Sequence, residues 1–164
     1  AITVTHISAA TASLTWALWE RIKFGKASLV GIVTGTIAGL ASITPASGFV
    51  GPWAALLIGA VAGILCQEAV VLIRNKAKID DTLDVFAVHG VGGIFGTIMI
   101  AALGAGSWAA QLGSLAIVGV YTSVVTVVLV LVCKAITPLR VSKEVEVNGL
   151  DLSVHGERAY DLSS

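Results

Sequence analysis

The sequence predicts an all-α integral membrane protein with five transmembrane helices and a cytoplasmic C-terminal tail. Three observations support this fold class. Of the 164 residues, 56% are hydrophobic and only 12% are charged, and the mean hydropathy is +0.94. A soluble domain carries about 25% charged residues, which is roughly twice that fraction. The apolar residues form runs of about 20, the length of a bilayer-spanning helix, and basic residues stand between alternate runs.

The first part of the chain, residues 1–137, is predicted to be the transmembrane region. Its first three apolar segments cover about residues 2–19, 27–43 and 53–73. The third segment is broken only near its end, by Gln67 and Glu68. Glu68 is therefore expected to reach the cytoplasmic interface, since charged side chains near helix ends extend toward water.

The last two segments come from one long stretch without charge. Residues 85–133 contain no Asp, Glu, Lys or Arg. As a single helix these 49 residues would be about 73 Å long, whereas the hydrocarbon core is about 30 Å thick. The stretch must therefore cross twice. Small and polar residues at 104–111 predict the turn, which leaves segments 85–103 and 112–133.

The connecting loops alternate in charge, which predicts the direction of insertion. The loops after the first and third segments carry basic residues, as does the start of the tail, whereas the other two loops carry none. Because Lys and Arg mark the cytoplasmic side, the N-terminus of this chain is expected outside and its C-terminus in the cytoplasm. The basic residues are Arg21, Lys23, Lys26, Arg74, Lys76, Lys78, Lys134, Arg140 and Lys143.

Composition and motifs argue against several other classes of protein. The formal net charge is zero, so no excess of positive charge indicates nucleic-acid binding. Cys66 and Cys133 lie in apolar runs without metal-ligand spacing, and both are expected to be small buried residues. No nucleophile–base pair, phosphate loop or metal motif indicates an enzyme, a metal or a cofactor. The abrupt apolar start at Ala1 suggests a processed chain or a fragment.

Glycines recur at every fourth residue in three of the segments. Such ridges of small residues let helix backbones approach closely in lipid, so we expect them at helix contacts. They are Gly31, Gly35 and Gly39, then Gly59 and Gly63, and finally Gly92 and Gly96.

His89 is the main candidate for a functional site. It lies about five residues, or roughly 7 Å, inside the start of segment four, and Gly90, Gly92 and Gly93 surround it. Ionisable residues within membrane spans usually face a bundle interior or a cavity. A neutral imidazole donates one hydrogen bond and accepts another, which suits a narrow path for a small polar solute. The alternative is a histidine that bonds a neighbouring helix for stability.

Other polar residues near the segment ends are weaker candidates. Thr44 and Pro45 end segment two, where freed carbonyls and the Thr44 hydroxyl could line a cavity. His6, near the outer surface, is expected to bond between helices. The carboxylates that precede segment four suit the N-terminus of a helix: Asp80, Asp81 and Asp84.

Three stretches of the sequence resemble the Amt/Mep/Rh ammonium transporter family, and its Amt/Mep branch in particular. They are GTIAGLASITPASGFVGP at 35–52, IDDTLDVFAVHGVGGIFG at 79–96 and NGLDLSVHGERAY at 148–160. They follow the family's order, and the resemblance covers essentially the whole chain. Family members have eleven helices in two pseudo-symmetric halves. The five segments match the last five helices, which implies that the first six are absent here.

The resemblance implies transport of ammonium or ammonia through a narrow apolar pore in each subunit of a plasma-membrane homotrimer. In the family, ammonium is deprotonated and neutral ammonia passes the pore, which agrees with the high cost of a bare cation at mid-bilayer. His89 matches one of two paired pore histidines, whose partner is not in this sequence, and Thr44 matches a pore-lining threonine. These 164 residues alone are not expected to conduct, because one pore wall is missing.

The resemblance also implies that residues 138–164 are a cytoplasmic regulatory tail. In the family this segment docks on its own or a neighbouring subunit and sets the pore's activity, and bacterial members bind trimeric PII signal proteins. Ser153 falls where some plant members carry a regulatory phosphothreonine, although a plain loop serine is the alternative. The other matching positions are Gly149, Leu150, Asp151, His155, Gly156 and Tyr160.

A second function stays open, that of an ammonium sensor that signals through its tail. Sensor members of the family usually append a signalling domain. The chain ends at Ser164, soon after the HGERAY motif, which favours transport. Besides ammonium or ammonia and a PII-type protein, the expected surroundings are membrane lipid, with no nucleic acid.

Overall fold

The computed structural model describes residues 1–158, and every regular element among them is helical. The α-helices are α1 (Ile2–Phe24), α2 (Leu29–Ile43), α3 (Pro52–Val71), α4 (Val91–Ala102), α5 (Trp108–Ile136) and α6 (Lys143–Asn148). Three π-helical turns adjoin them: Leu72–Lys76, Phe86–Gly90 and Asp151–His155. The chain divides into two units, the first over Ala1–Ile117 and the second from Val118 onward. The predicted all-α fold is confirmed.

Two helices in the described part of the chain are long and apolar enough to cross a membrane. They are Pro52–Lys76, which is α3 with the π turn that follows it, and Trp108–Ile136, which is α5. The apolar helices Leu29–Ile43 and Phe86–Ala102 are shorter. The five crossings and their direction therefore stay predictions.

Local sequence signals explain where the helices begin and end. The Ser28 hydroxyl accepts from the amide of Gly31 and so caps the start of α2. Pro52 is the first residue of α3, where its missing amide is not needed. Gly25 ends α1 with a left-handed backbone, at φ 78°, which glycine adopts without steric cost.

In the first unit, α1 packs against α2 and α3 at the predicted glycines. A side chain at either Gly39 or Gly59 would collide with the Ser8 carbonyl oxygen, and one at Gly35 would collide with Trp16. The buried Ser8 hydroxyl donates to the Gly39 carbonyl at 3.0 Å. The expectation of close helix contacts at these glycines is therefore confirmed. At Gly31, by contrast, the nearest atoms belong to the flexible Glu20 side chain.

Two clusters of buried side chains form the core of the first unit. One brings together residues of α1, α2, α3 and α4 around Val4, at the start of α1. Its buried members are Val4, Ile43, Ala46, Ala55, Ile58 and Ile100. The other lies beside the π turn that leads into α4, and its buried members are Trp16, Ala38, Cys66 and Val88. Because Val88 belongs to that turn, the second cluster packs the turn against α1, α2 and α3.

The helix α5 has no buried residue, although it is the longest and most apolar candidate span. A helix that is apolar on all sides and uncovered by protein is suited to lipid. Cys133 on this helix is exposed, whereas Cys66 is buried. The prediction of two buried cysteines is therefore right for Cys66 and wrong for Cys133, because Cys133 lies on α5, which has no buried residue.

Candidate functional site

His89 lies in the π-helical turn Phe86–Gly90, directly before α4. Single π turns inside helices often occur at functional sites, because the extra residue redirects side chains. Ala87 and Val88 are buried, whereas His89 is exposed. Within the described residues its imidazole makes no hydrogen bond to a neighbouring helix, so the expected stabilising alternative is not observed there. Within residues 1–158 neither ring nitrogen of His89 has a hydrogen-bond partner.

Asp81 holds the start of this turn. Its carboxylate accepts hydrogen bonds from the amides of Val85, Phe86 and Ala87 at 2.8, 2.9 and 3.2 Å. The first amides of a helix have no partner within the helix, and a carboxylate there also complements the helix dipole. The predicted role of the acidic residues is thus confirmed for Asp81. Asp80 instead accepts from the Thr82 hydroxyl at 2.8 Å.

Asp84 pairs with Arg74, which lies in the π turn after α3. The Arg74 Nη2 donates to Asp84 Oδ2 and to the Thr82 carbonyl, each at 2.9 Å, and its Nε lies 2.7 Å from Asp84 Oδ1. Asp84 has a left-handed backbone, at φ 54°, which Asp and Asn tolerate better than other side chains. The expectation that Asp84 caps the helix amides is therefore corrected: its carboxylate faces back toward α3.

Burial raises the pKa of the Asp84 carboxyl above its ordinary value, and the Arg74 guanidinium lowers it only in part. A carboxyl with a raised pKa adds stability below its ordinary pKa and loses that contribution as the pH rises through the raised value.

The other end of the turn is held by contacts of α4 with α2 and α3. A Cβ at Gly92 would lie 2.9 Å from Ser42 Oγ, and one at Gly96 would overlap the Ser42 carbonyl oxygen. The Cys66 thiol lies 3.8 Å from the Val88 carbonyl and donates to it. The backbone on both sides of His89 is thus fixed to neighbouring helices.

Thr44 follows the last residue of α2 and is exposed. Its Oγ1 donates to the Leu40 carbonyl of the same helix at 2.6 Å, so only its lone pairs remain for a ligand. The neighbouring Ser42 packs on Gly96, which lies seven residues, or about 10 Å, along the helix from His89. Ser42 also lies beside Gly92, and within residues 1–158 Thr44 makes no hydrogen bond to His89.

His6 is exposed on α1 and makes no hydrogen bond between helices within residues 1–158. The bonds between α1 and α2 in this part of the chain come from Ser8 and Ser13 instead, and the expectation for His6 stays a prediction. Ser8 bonds the Gly39 carbonyl, and the Ser13 hydroxyl donates to the Ile32 carbonyl at 3.1 Å. Small hydroxyl side chains reach the close backbone of α2 more directly than an imidazole does.

Glu68 forms an ion pair that was not predicted from the sequence. Its Oε1 lies 2.6 Å from Lys23 Nζ and also accepts from the Trp19 indole. The Lys23 ammonium lies 5.9 Å from the centres of the Trp19 and Phe24 rings. The opposite charges at the ends of α1 and α3 were the available signal, but their pairing depends on how these two helices cross.

The matching residues of the tail lie around the π-helical turn Asp151–His155. The amide of Ser153, which is exposed, donates to the Gly149 carbonyl at 3.1 Å, and the amide of Gly156 donates to Leu152 at 3.1 Å. Gly149 and Gly156 both have positive φ, at 95° and 71°. Leu150 directly precedes the turn and makes no side-chain cap hydrogen bond, and Tyr160 lies outside the described residues.

Two cavities lie near the loop between α3 and α4. One of about 430 Å³ is lined by the charged loop itself, and the other, of about 360 Å³, is mainly apolar and opens beside Glu68 and Lys76. Among residues 1–158 no group of three His, Cys, Asp or Glu side chains is placed to hold a metal ion. His89 lines neither cavity.

A family model described as the Ammonium Transporter Family matches residues 1–160. The chain belongs to this family. The resemblance drawn from the three motifs is thereby confirmed, and membership of the Ammonium Transporter Family makes this a membrane protein.

Individual relatives agree with this assignment to the Ammonium Transporter Family. Ammonium transporter Amt1 of Archaeoglobus fulgidus is 42% identical over 98% of this chain and 44% of its own length. The crystal structure of Candida albicans Mep2 has a TM-score of 0.75 and 33% identity, over 87% of this chain and 36% of that one. A solved structure described as a sensor Amt protein has a TM-score of 0.80 and 32% identity, over 93% and 41%. The chain spans less than half the length of the curated relatives it matches, 44%, 40% and 44% for three of them.

Proposed function

We propose that this protein transports ammonium nitrogen across the plasma membrane, as ammonium or ammonia. The observation that carries the proposal is the family match over residues 1–160. Relatives that match nearly the whole chain are named ammonium transporters rather than enzymes. We further propose that the protein works as a homotrimer, with the N-terminus of this chain outside and its C-terminus in the cytoplasm.

His89 is proposed to line the transport path. Its imidazole is exposed, is partnered by no described residue and is held on a turn whose two ends are fixed. A bare cation in the hydrocarbon region is costly, whereas neutral ammonia needs only a donor and an acceptor along its path. We therefore infer that ammonium loses its proton before passing His89. Thr44 would contribute as an acceptor, because its hydroxyl proton is used within α2.

Substitution of His89 by Ala tests this role in the whole polypeptide that contains this sequence, reconstituted in liposomes. We expect the ammonium flux to change by about fivefold or more, the factor that corresponds to one lost hydrogen bond of about 1 kcal/mol. His6→Ala is the matched control, since His6 is also exposed but lies on α1. If the parent shows no ammonium flux, the transport proposal is wrong. If His89→Ala and His6→Ala both match the parent, only the role of His89 is wrong.

The tail is proposed to regulate the path. Ser142 caps α6, and the turn that contains Ser153 follows it, so residues 138–158 form short ordered elements. A phosphate on Ser153 would add nearly two negative charges to this segment. A PII-type signal protein is the proposed partner at the cytoplasmic face.

The second candidate function is ammonium sensing through the tail. It is favoured by the similarity to the structure described as a sensor Amt protein, which covers 93% of this chain. Ammonium binding without flux, measured on the same reconstituted protein, would support sensing over transport.

A further inference from the structure

We propose that Arg74 is a positioning residue for His89, and that its clamp on Asp84 fixes the direction in which the imidazole faces. The inference rests on the proposed transport function, in which His89 lines the path. Arg74 touches neither His89 nor the proposed solute, so it acts through the backbone of the π-helical turn.

The first step of the argument is that the turn is anchored at its N-terminal end. Arg74 makes a two-pronged contact with Asp84, through Nη2 to Oδ2 at 2.9 Å and Nε to Oδ1 at 2.7 Å. The same Nη2 also binds the Thr82 carbonyl at 2.9 Å. Asp81 adds three bonds to the amides that follow. The loop and the first residues of the turn are therefore tied to α3.

The second step is that the turn is also anchored at its C-terminal end. Gly96 lies so close to the backbone of Ser42 on α2 that it has no room for a Cβ, and a Cβ at Gly92 would lie 2.9 Å from Ser42 Oγ. A helix in such contact can neither rotate nor slide without separating the backbones. The spacing between the two anchors is therefore set by the packing of α2, α3 and α4.

The third step is that the π turn fits one more residue between these anchors than α-helical bonding would. A π turn bonds over five residues instead of four, so it holds an extra residue in the same length of helix. Each residue of a helix turns the chain by about 100°. If Arg74 no longer ties the loop to α3, the Asp81-capped start of the turn is free to shift relative to the C-terminal anchor. The turn can then return to α-helical bonding, and His89 would rotate away from its present exposed direction.

The geometry of the anchor suits arginine. The Arg74 guanidinium makes one hydrogen bond to the Asp84 carboxylate, from Nη2 to Oδ2, and its Nε forms a close ion-pair contact with Oδ1, whereas the ammonium of lysine acts as a point charge. The Asp84 side chain is only 15% exposed and the Arg74 side chain 45% exposed, so water competes little for the carboxylate. Ion pairs of this kind serve geometry more than stability.

The test compares Arg74→Gln and Arg74→Lys with the parent in the whole reconstituted polypeptide. Two quantities are measured: ammonium flux, and the imidazole ¹⁵N signals of His89 in histidine-labelled protein, assigned by their loss in His89→Ala. Lys23→Gln is the matched control, because it breaks an ion pair of similar length, 2.6 Å to Glu68, that does not touch the turn.

We expect Arg74→Gln to shift the His89 signals and to lower the flux about fivefold or more, the effect of one lost hydrogen bond to the solute. Lys23→Gln should leave both unchanged, and Arg74→Lys should fall between Arg74→Gln and the parent. Unchanged His89 signals in Arg74→Gln would overturn the inference, whatever the flux. The signals decide this even if the parent does not transport ammonium, which would contradict only the proposed function.

Asp84→Asn provides a second test if Arg74→Gln does not fold. Asn tolerates the left-handed backbone at this position as Asp does, and the substitution removes only the negative charge that pairs with Arg74. The His89 signals should shift in the same direction as in Arg74→Lys. Signals identical to those of the parent would contradict the inference.

Discussion

At the scale of single residues, glycines determine how closely the helices of the first unit approach, because they have no side chain. Gly96 faces the Ser42 carbonyl without room for a Cβ, whereas a Cβ at Gly93, three residues earlier on the same helix, would meet nothing within 4 Å. The two glycines have the same backbone flexibility but different surroundings. A comparison of the two positions therefore separates packing from helix propensity.

We expect Gly96→Ala to lower the free energy of unfolding by about 1–3 kcal/mol, because the added methyl group forces α2 and α4 apart. Gly93→Ala is the control and should be neutral or stabilising by up to about 1 kcal/mol, since alanine favours the helix. Unfolding in detergent, followed by helical circular dichroism, measures both. Equal stability of the two variants would contradict the assigned contact.

Sequence reasoning at the residue scale works best where one residue type has one physical use. The glycine spacing predicted the contacts at Gly39 and Gly96, and the acidic residues before segment four predicted the Asp81 cap. It did not predict the Arg74–Asp84 pair. The sequence allows many conformations of the loop, and the two side chains meet in only some of them. It did not predict which side chains of α1 bond to α2, namely Ser8 and Ser13, because that depends on how the two helices cross.

At the scale of elements, the π-helical turns are features that hydrophobic periodicity does not predict. Bonding over five residues differs from α-helical bonding by one residue in a turn, and a mostly apolar segment such as 85–103 hides the difference. The cap at Asp81 is what makes the beginning of the His89 turn definite. Its three hydrogen bonds to backbone amides suggest a direct test.

We expect Asp81→Ala to destabilise the start of this turn by about 1–2 kcal/mol, since three amides lose their acceptor. Hydrogen exchange should accelerate by about five- to thirtyfold at Val85, Phe86 and Ala87, the factor equivalent to that free energy. Asp80→Ala is the control, because Asp80 bonds only the Thr82 hydroxyl. The assignment of the cap fails if the two variants exchange alike at these amides.

At the scale of the whole molecule, composition and charge alternation predict a membrane protein, and family membership agrees. The number of crossings is less securely encoded. Among residues 1–158 two helices meet the length and hydropathy of a span, and the 15 residues of α2 are fewer than a full crossing needs. The position of the lipid boundary along each helix depends on the lipid and water that surround it. Neither the sequence nor the packing of the helices specifies that position.

Thiol labelling tests the predicted orientation in a variant in which Cys66 and Cys133 are replaced by Ala. Gly48→Cys, in the loop between α2 and α3, should react with a membrane-impermeant maleimide on intact cells. Ala77→Cys, between two basic residues after α3, should react only after the cells are permeabilised. Both positions are exposed, so access to solvent is matched. The reverse pattern would mean an inverted chain, and labelling of both on intact cells would contradict the crossing by α3.

The junction at Ser8 has a consequence for motion. Its hydroxyl is bonded to Gly39 of α2, and its carbonyl oxygen lies against Gly59 of α3, so three helices touch at one residue. Helices in backbone contact cannot slide along each other without first moving apart, but they can tilt about the point of contact. We therefore expect Ser8 to act as a pivot, with the smallest displacements near the junction and the largest at the ends of the helices.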